Sequence, residues 1–205
     1  VYKRQANTTI LLIAHQPFKL LPTISSRCRD LRCRKLTIED LHAALQQAGI
    51  NVTNAEALAT LAGGSAGDAV RLIRHNGLQI YADLIQIFDG LPNANRTAVL
   101  KLAESCTTRG ADIRFELTID LIDQFIARTA RTGLFGEPVM QAAPNEARLL
   151  ARLSPHAHAA RAWAQLQQEL TGRVRHGRAV NLDPASLILD IIFKIEQVAR
   201  SVAAK

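Results

Sequence analysis

The chain has 205 residues, of which 48% are hydrophobic and 21% are charged, and these proportions are typical of a globular protein with a sizeable core. No apolar run approaches the roughly 20 residues needed to cross a bilayer, which argues against a membrane-spanning protein. The formal net charge of +7 lies in residues 1–36, where eight basic residues face one acidic residue, since residues 37–205 hold seventeen of each sign. A neutral body with one basic end favours a local anionic target, such as phosphates or an acidic partner surface.

The sequence shows no metal or nucleotide site. Cys28, Cys33 and Cys106 have neither the spacing of zinc ligands nor an even number for disulfides, so we expect free thiols in a reducing cytoplasm. The chain also has no Gly-x-x-x-x-Gly-Lys-Ser/Thr loop and no acidic metal-holding strand. We therefore expect no bound ATP, no metal and no activity from this chain alone.

The first predicted element is a strand over residues 9–15, because Ile10 to Ala14 form an almost unbroken apolar run that Pro17 ends. Leucine and isoleucine at helical spacing follow, and then Ser26-Arg27-Cys28 with a basic cluster behind it: Arg29, Arg32, Arg34 and Lys35. The predicted strand has no sheet neighbour in the sequence. We therefore expect residues 1–30 to pair with another chain, to repack or to be poorly ordered.

The rest of the chain predicts only helices, because its apolar residues recur at intervals of three and four and most starts carry a capping residue. Thr37, Ser65 and Asp183 are the clearest of these caps. A break is predicted over 133–144, where glycines and prolines cluster, and a linker at Gly90 to Asn93. The predicted helices begin near residues 38, 55, 66, 78, 95, 112, 145, 157 and 184.

Residues 8–36, TTILLIAHQPFKLLPTISSRCRDLRCRKL, resemble the sensor 1 strand and Ser-Arg-Cys motif of AAA+-type clamp-loader subunits, most closely the delta-prime family of bacterial DNA polymerase III. Residues 63–72 are similar to the lid motif of that family, and 181–195 to its closing helix. The resemblance implies a mainly α fold in three parts. These are the end of an AAA+ α/β domain (1–36), a helical lid (37–91) and a helical-bundle collar for oligomerisation (92–205).

The resemblance also implies a function. It makes the chain a non-catalytic stator of the polymerase III clamp loader, which would help ATP-driven loading of the sliding clamp onto primed DNA. Its implied partners are the gamma/tau and delta subunits, with clamp and DNA reached through the assembled complex. Arg27 would be an arginine finger acting in trans on a neighbour's ATP, supported by Ser26 and Cys28. His15 and Gly67 occupy the two sensor positions and depart from the residues of active subunits, which fits a stator without ATPase activity of its own.

Two other functions stay open. The chain could be a fragment of the ATP-hydrolysing gamma/tau subunit, although Gly67 stands where that subunit carries an arginine. It could instead be a generic helical interaction module whose Ser-Arg-Cys is accidental. Asp120 and Asp123, one helical turn apart, are either a proton-sharing pair or a solvated polar face. The basic cluster at 173–178 either contacts phosphates or complements a helix dipole.

Overall fold

A computed structural model describes residues 8–14, 16–108 and 110–204, which divide into two compact units with the boundary after Arg34. We call their described parts the N-terminal segment (8–14 and 16–34) and the helical unit (35–108 and 110–204). All regular structure in the described residues is helical, which confirms the predicted mainly α fold. Besides a short 3-10 turn at Pro17–Lys19, the helices are α1 (Pro22–Ser25), α2 (Ile38–Gln47), α3 (Ala55–Ala62), α4 (Ala66–Arg74), α5 (Gly77–Asp89), α6 (Arg96–Ser105), α7 (Asp112–Phe135), α8 (Glu146–Leu153), α9 (Ala157–Ala179) and α10 (Pro184–Ala203).

The strand predicted over 9–15 is wrong for the residues that the structure describes. Residues 8–14 have no regular secondary structure, and His15 lies outside the described residues. The side chains of Ile10 to Ile13 are between 58% and 89% exposed. An apolar run forms a stable strand only when a neighbouring strand takes up its N–H and C=O groups, and the described N-terminal segment contains no such neighbour.

The helix starts in the helical unit follow the capping pattern of the sequence. Each predicted cap accepts a hydrogen bond from a backbone N–H three residues further on, with donor–acceptor distances of 2.9–3.2 Å. This confirms the caps Thr37, Ser65 and Asp183. Gly63 ends α3 in the left-handed conformation, which glycine adopts without a Cβ clash.

Helix α7 continues to Phe135, although the sequence predicts its end near residue 132. Gly133 is helical, and a Cβ built on it would lie 2.3 Å from the Ser154 side-chain oxygen and 2.9 Å from the His156 carbonyl oxygen. The glycine therefore permits close approach of the backbone between α8 and α9 rather than ending the helix.

Helices α7 and α9 form the longest helix pair of the helical unit and run antiparallel, since Asp123 meets Gln167 while Phe115 meets Arg178. Helix α10 packs on α6 and α9, and a continuous cluster of buried apolar side chains extends from Leu41 to Ala199. The division at residues 91 and 92 into a lid and a collar stays a prediction. None of the described helices is both long enough and apolar enough to cross a membrane.

Candidate functional site

The Ser-Arg-Cys motif lies on a turn that closes α1. The Ser26 N–H donates to the Pro22 carbonyl oxygen at 3.0 Å, and the Arg27 N–H donates to that of Ile24 at 3.0 Å. The Cys28 N–H donates to the Ser25 carbonyl oxygen at 3.3 Å. Three consecutive backbone bonds thus fix the main chain of the motif, although the turn carries no buried side chain.

The Arg27 side chain is exposed and forms no ion pair or side-chain hydrogen bond within the described N-terminal segment. The same holds for the neighbouring Arg29, Arg32 and Arg34, and for the one acidic residue, Asp30. A guanidinium presents five N–H donors in a planar fork that fits a phosphate or a carboxylate. The turn therefore offers an unengaged arginine on a hydrogen-bonded backbone.

The lid-like motif at 63–72 is built around a double glycine. The Leu36 N–H donates to the Gly64 carbonyl oxygen at 2.9 Å, and a Cβ on Gly64 would lie 2.9 Å from the Leu36 backbone. Gly67 differs, because it is an ordinary helical residue whose added Cβ would have the Ser65 side-chain oxygen, 3.9 Å away, as its nearest neighbour. Packing therefore does not require glycine at position 67.

Asp120 and Asp123 have separate partners. Asp120 pairs with Arg71 of α4, and Asp123 accepts a hydrogen bond from the Gln167 side chain at 3.1 Å. Burial raises the pKa of Asp123; the Gln167 bond lowers it, and the nearby Asp120 carboxylate adds a smaller increase. Both residues line two open cavities, one of about 420 Å³ between α7, α9 and α10 and one of about 280 Å³ between α3, α4 and α7.

Two residues of the basic cluster at 173–178, Arg173 and Arg178, have contacts within the helical unit. Arg173 donates two hydrogen bonds to the Asp190 carboxylate, at 2.7 and 2.9 Å, and these raise its pKa. The Arg178 guanidinium lies 5.9 Å from the centroid of the Phe115 ring. These contacts join α9 to α10 and to α7, which favours a structural role over phosphate binding for both arginines.

The structure contains two buried carboxylates that the sequence patterns did not identify. Glu196 is fully buried and accepts hydrogen bonds from the Ala94 N–H at 3.0 Å and the Arg96 side chain at 2.9 Å. The signal for it was its position between Ile192 and Ala199 on the apolar face of α10. Glu146 is also fully buried, at the start of α8, and no sequence pattern indicated its role.

Among the described residues, no three histidine, cysteine or acidic side chains lie close enough together to hold a metal ion. Comparisons of the chain with family models, curated proteins and solved structures found no match.

Proposed function

We propose that the chain is a non-catalytic stator of a bacterial clamp loader, of the delta-prime type found in DNA polymerase III. The observation that carries the proposal is the Ser26-Arg27-Cys28 turn. Its backbone is hydrogen-bonded and its arginine is exposed without a partner in the N-terminal segment. An arginine that serves a neighbouring subunit must project from its own chain in this way.

The chemistry of an arginine suits action in trans. Phosphoryl transfer spreads negative charge over the γ-phosphate oxygens of ATP, and a guanidinium from an adjacent subunit stabilises that charge in the transition state. Arg27 would bring this charge to a neighbour's site. Gly67 also supports a non-catalytic role, since it stands where ATP-hydrolysing subunits carry the lid arginine that contacts ATP.

The helical unit is proposed to join the subunits of the loader. Its last helix, α10, buries one apolar face yet leaves Leu189 and Phe193 at 37% and 48% exposure on the same helix. These two residues lie four apart and therefore share a face. Apolar side chains at that spacing fit a helix that contacts another subunit in a collar.

The experiment is native mass spectrometry of this chain mixed with the gamma/tau and delta subunits from the same source, followed by ATPase and clamp-loading assays. We expect one copy of the chain in a stoichiometric complex. Arg27→Ala should leave that complex intact but reduce ATP hydrolysis at the completed site by about 10³-fold or more, as for other arginine fingers. Arg29→Ala is the matched control and should keep wild-type activity. Unchanged loading by the Arg27 variant would refute the role of this arginine.

A generic helical interaction module is the second candidate, because a continuous core runs through the helical unit. Failure of a folded chain to enter any complex with gamma/tau and delta would favour this candidate. A gamma/tau fragment is less well supported, since the arginine expected at position 67 is absent.

A further inference from the structure

The N-terminal segment contains a short repeat that the proposed function does not use. Arg27-Cys28-Arg29 is followed by Arg32-Cys33-Arg34, with two residues between them. Both cysteines are exposed free thiols, whereas Cys106 is buried and its thiol donates to the Thr118 hydroxyl at 3.7 Å. The chain therefore has two accessible thiols in one environment and a third that is protected.

No regular structure holds the backbone between the two exposed cysteines. Residues 29–34 form no helix or strand, and no backbone hydrogen bond involves them within the described N-terminal segment. A disulfide requires Cα atoms about 4.4–6.8 Å apart, which a chain with four intervening residues can reach when no regular structure holds it extended. Closure of this loop would break none of the helices.

We propose that Cys28 and Cys33 form a dithiol modification site that reacts with a small acidic disulfide of the glutathione class. The thiolate of one cysteine attacks the external disulfide, forms a mixed disulfide and releases one glutathione thiolate. The second cysteine then attacks the protein sulfur of the mixed disulfide and releases the other glutathione. The two cysteines are oxidised to one disulfide, the reagent is reduced to two thiols, and the two cysteine protons pass to the released thiolates.

The charge of the segment favours an acidic reagent. Residues 27–34 carry four arginines and one aspartate, a net charge of +3. None of these arginines is neutralised by an ion pair within the described N-terminal segment, so the positive field should raise the local concentration of an anionic disulfide. Disulfides in reducing compartments are usually transient and regulatory, as this reversible exchange would be.

The modification would also affect the neighbouring arginine, and this step rests on the proposed function. A ring closed between Cys28 and Cys33 begins at the residue after Arg27 and constrains the main chain beside it. We expect oxidised chain to assemble into the loader complex but to lose the contribution of Arg27. The covalent assays below do not depend on the loader, so failure of the proposed function would leave their outcome unchanged.

The test is to incubate the full chain with oxidised glutathione and to follow its intact mass and its alkylatable thiols. We expect two thiols to disappear without retained glutathione, while Cys106 stays reduced. Cys33→Ser should stop at a chain that carries one glutathione on Cys28. Stable glutathione on both cysteines of the wild-type chain, or a disulfide-linked dimer in place of the internal bond, would overturn the dithiol site.

The role of charge needs a matched pair of variants. Arg29→Gln, Arg32→Gln and Arg34→Gln together should slow the reaction with oxidised glutathione about tenfold at low salt. They should slow the reaction with the uncharged disulfide of mercaptoethanol by a clearly smaller factor. The control removes equal charge from three exposed arginines of the helical unit that have no ion pair among the described residues, and it should have no effect: Arg131, Arg148 and Arg161. An equal loss of rate in both triple variants would overturn the choice of an acidic reagent.

Discussion

Replacement of Glu146 by glutamine should destabilise the helical unit strongly, because this carboxylate connects three parts of the fold. It is fully buried, and its Oε1 atom accepts hydrogen bonds from the Tyr81 hydroxyl and the Arg128 Nε, both at 2.6 Å. Its Oε2 atom accepts from the Ala142 N–H at 2.6 Å. The residue thus joins α5, α7 and the loop before α8.

The magnitude follows from the number of donors. A glutamine has one acceptor oxygen, so either the Ala142 N–H or the pair Tyr81 and Arg128 must face its NH₂ group and lose an acceptor. A hydrogen bond to a charged group contributes about 1.5–3 kcal/mol, and an unsatisfied buried donor costs about 1–3 kcal/mol. We expect Glu146→Gln to lower the free energy of unfolding by about 2–4 kcal/mol, and Tyr81→Phe by about 1.5–3 kcal/mol.

The assay is urea unfolding followed by circular dichroism, for both single variants and the double variant. Because Tyr81 and Glu146 are in contact, the double variant should lose less stability than the sum of the two losses, by about 0.5–3 kcal/mol. Glu137→Gln is the matched control, since Glu137 is exposed, and it should change stability by less than about 0.5 kcal/mol. A loss below about 1 kcal/mol for Glu146→Gln would refute the reasoning, because it would mean that water satisfies the three donors as well as the carboxylate does.

Three further predictions concern glycine and charge. Gly67→Ala should stabilise the chain by about 0.4–1 kcal/mol, because the site is helical and open. Gly64→Ala should destabilise the chain, because φ is +82° and the added Cβ would meet Leu36. Thermal unfolding of both variants checks the two predictions, and a loss of stability in Gly67→Ala would contradict the first. Burial raises the pKa of Asp123, so the stability it contributes is present below the usual carboxyl pKa of 3.8 and is lost as pH rises through the folded pKa. Asp123→Asn should therefore raise the Tm at neutral pH, with a gain that vanishes on acidification; a gain independent of pH would contradict this reasoning.

The helices were predictable because their signals are local. A cap such as Thr37 acts on an N–H three residues away, and the apolar stripe of α10 is readable within one helix. The strand over 9–15 was not predictable in the same way, because a strand depends on a neighbour that its own sequence does not specify. The end of α7 was misplaced for a similar reason, since Gly133 allows a close contact with Ser154 and His156, which cap the end of α8 and the start of α9.

In the candidate site, too, features that depend on near neighbours differ from features that depend on residues distant in the chain. Arg27 lies exposed in the turn that follows α1, and its role as an arginine finger stays a prediction. The carboxylates of Glu146 and Glu196 could not be assigned from sequence, because their partners lie far away in the chain: Tyr81 is 65 residues from Glu146, and Ala94 is 102 residues from Glu196. Burial of a charge is determined by such distant donors, so a local pattern predicts at most that the position is enclosed.

The two units differ in how many of their polar and charged side chains have partners within the same unit. In the described helical unit, the buried acids have donors, and Ser154 holds the one buried side-chain oxygen or nitrogen that lacks a hydrogen-bond partner. The N-terminal segment instead exposes an apolar run and four arginines without an ion pair among its own described residues. Exposed apolar and cationic side chains contribute nothing to the stability of the fold, and they are open to contacts with another molecule. We therefore propose the N-terminal segment, rather than the cavities beside α7, as the place where the chain would contact a partner.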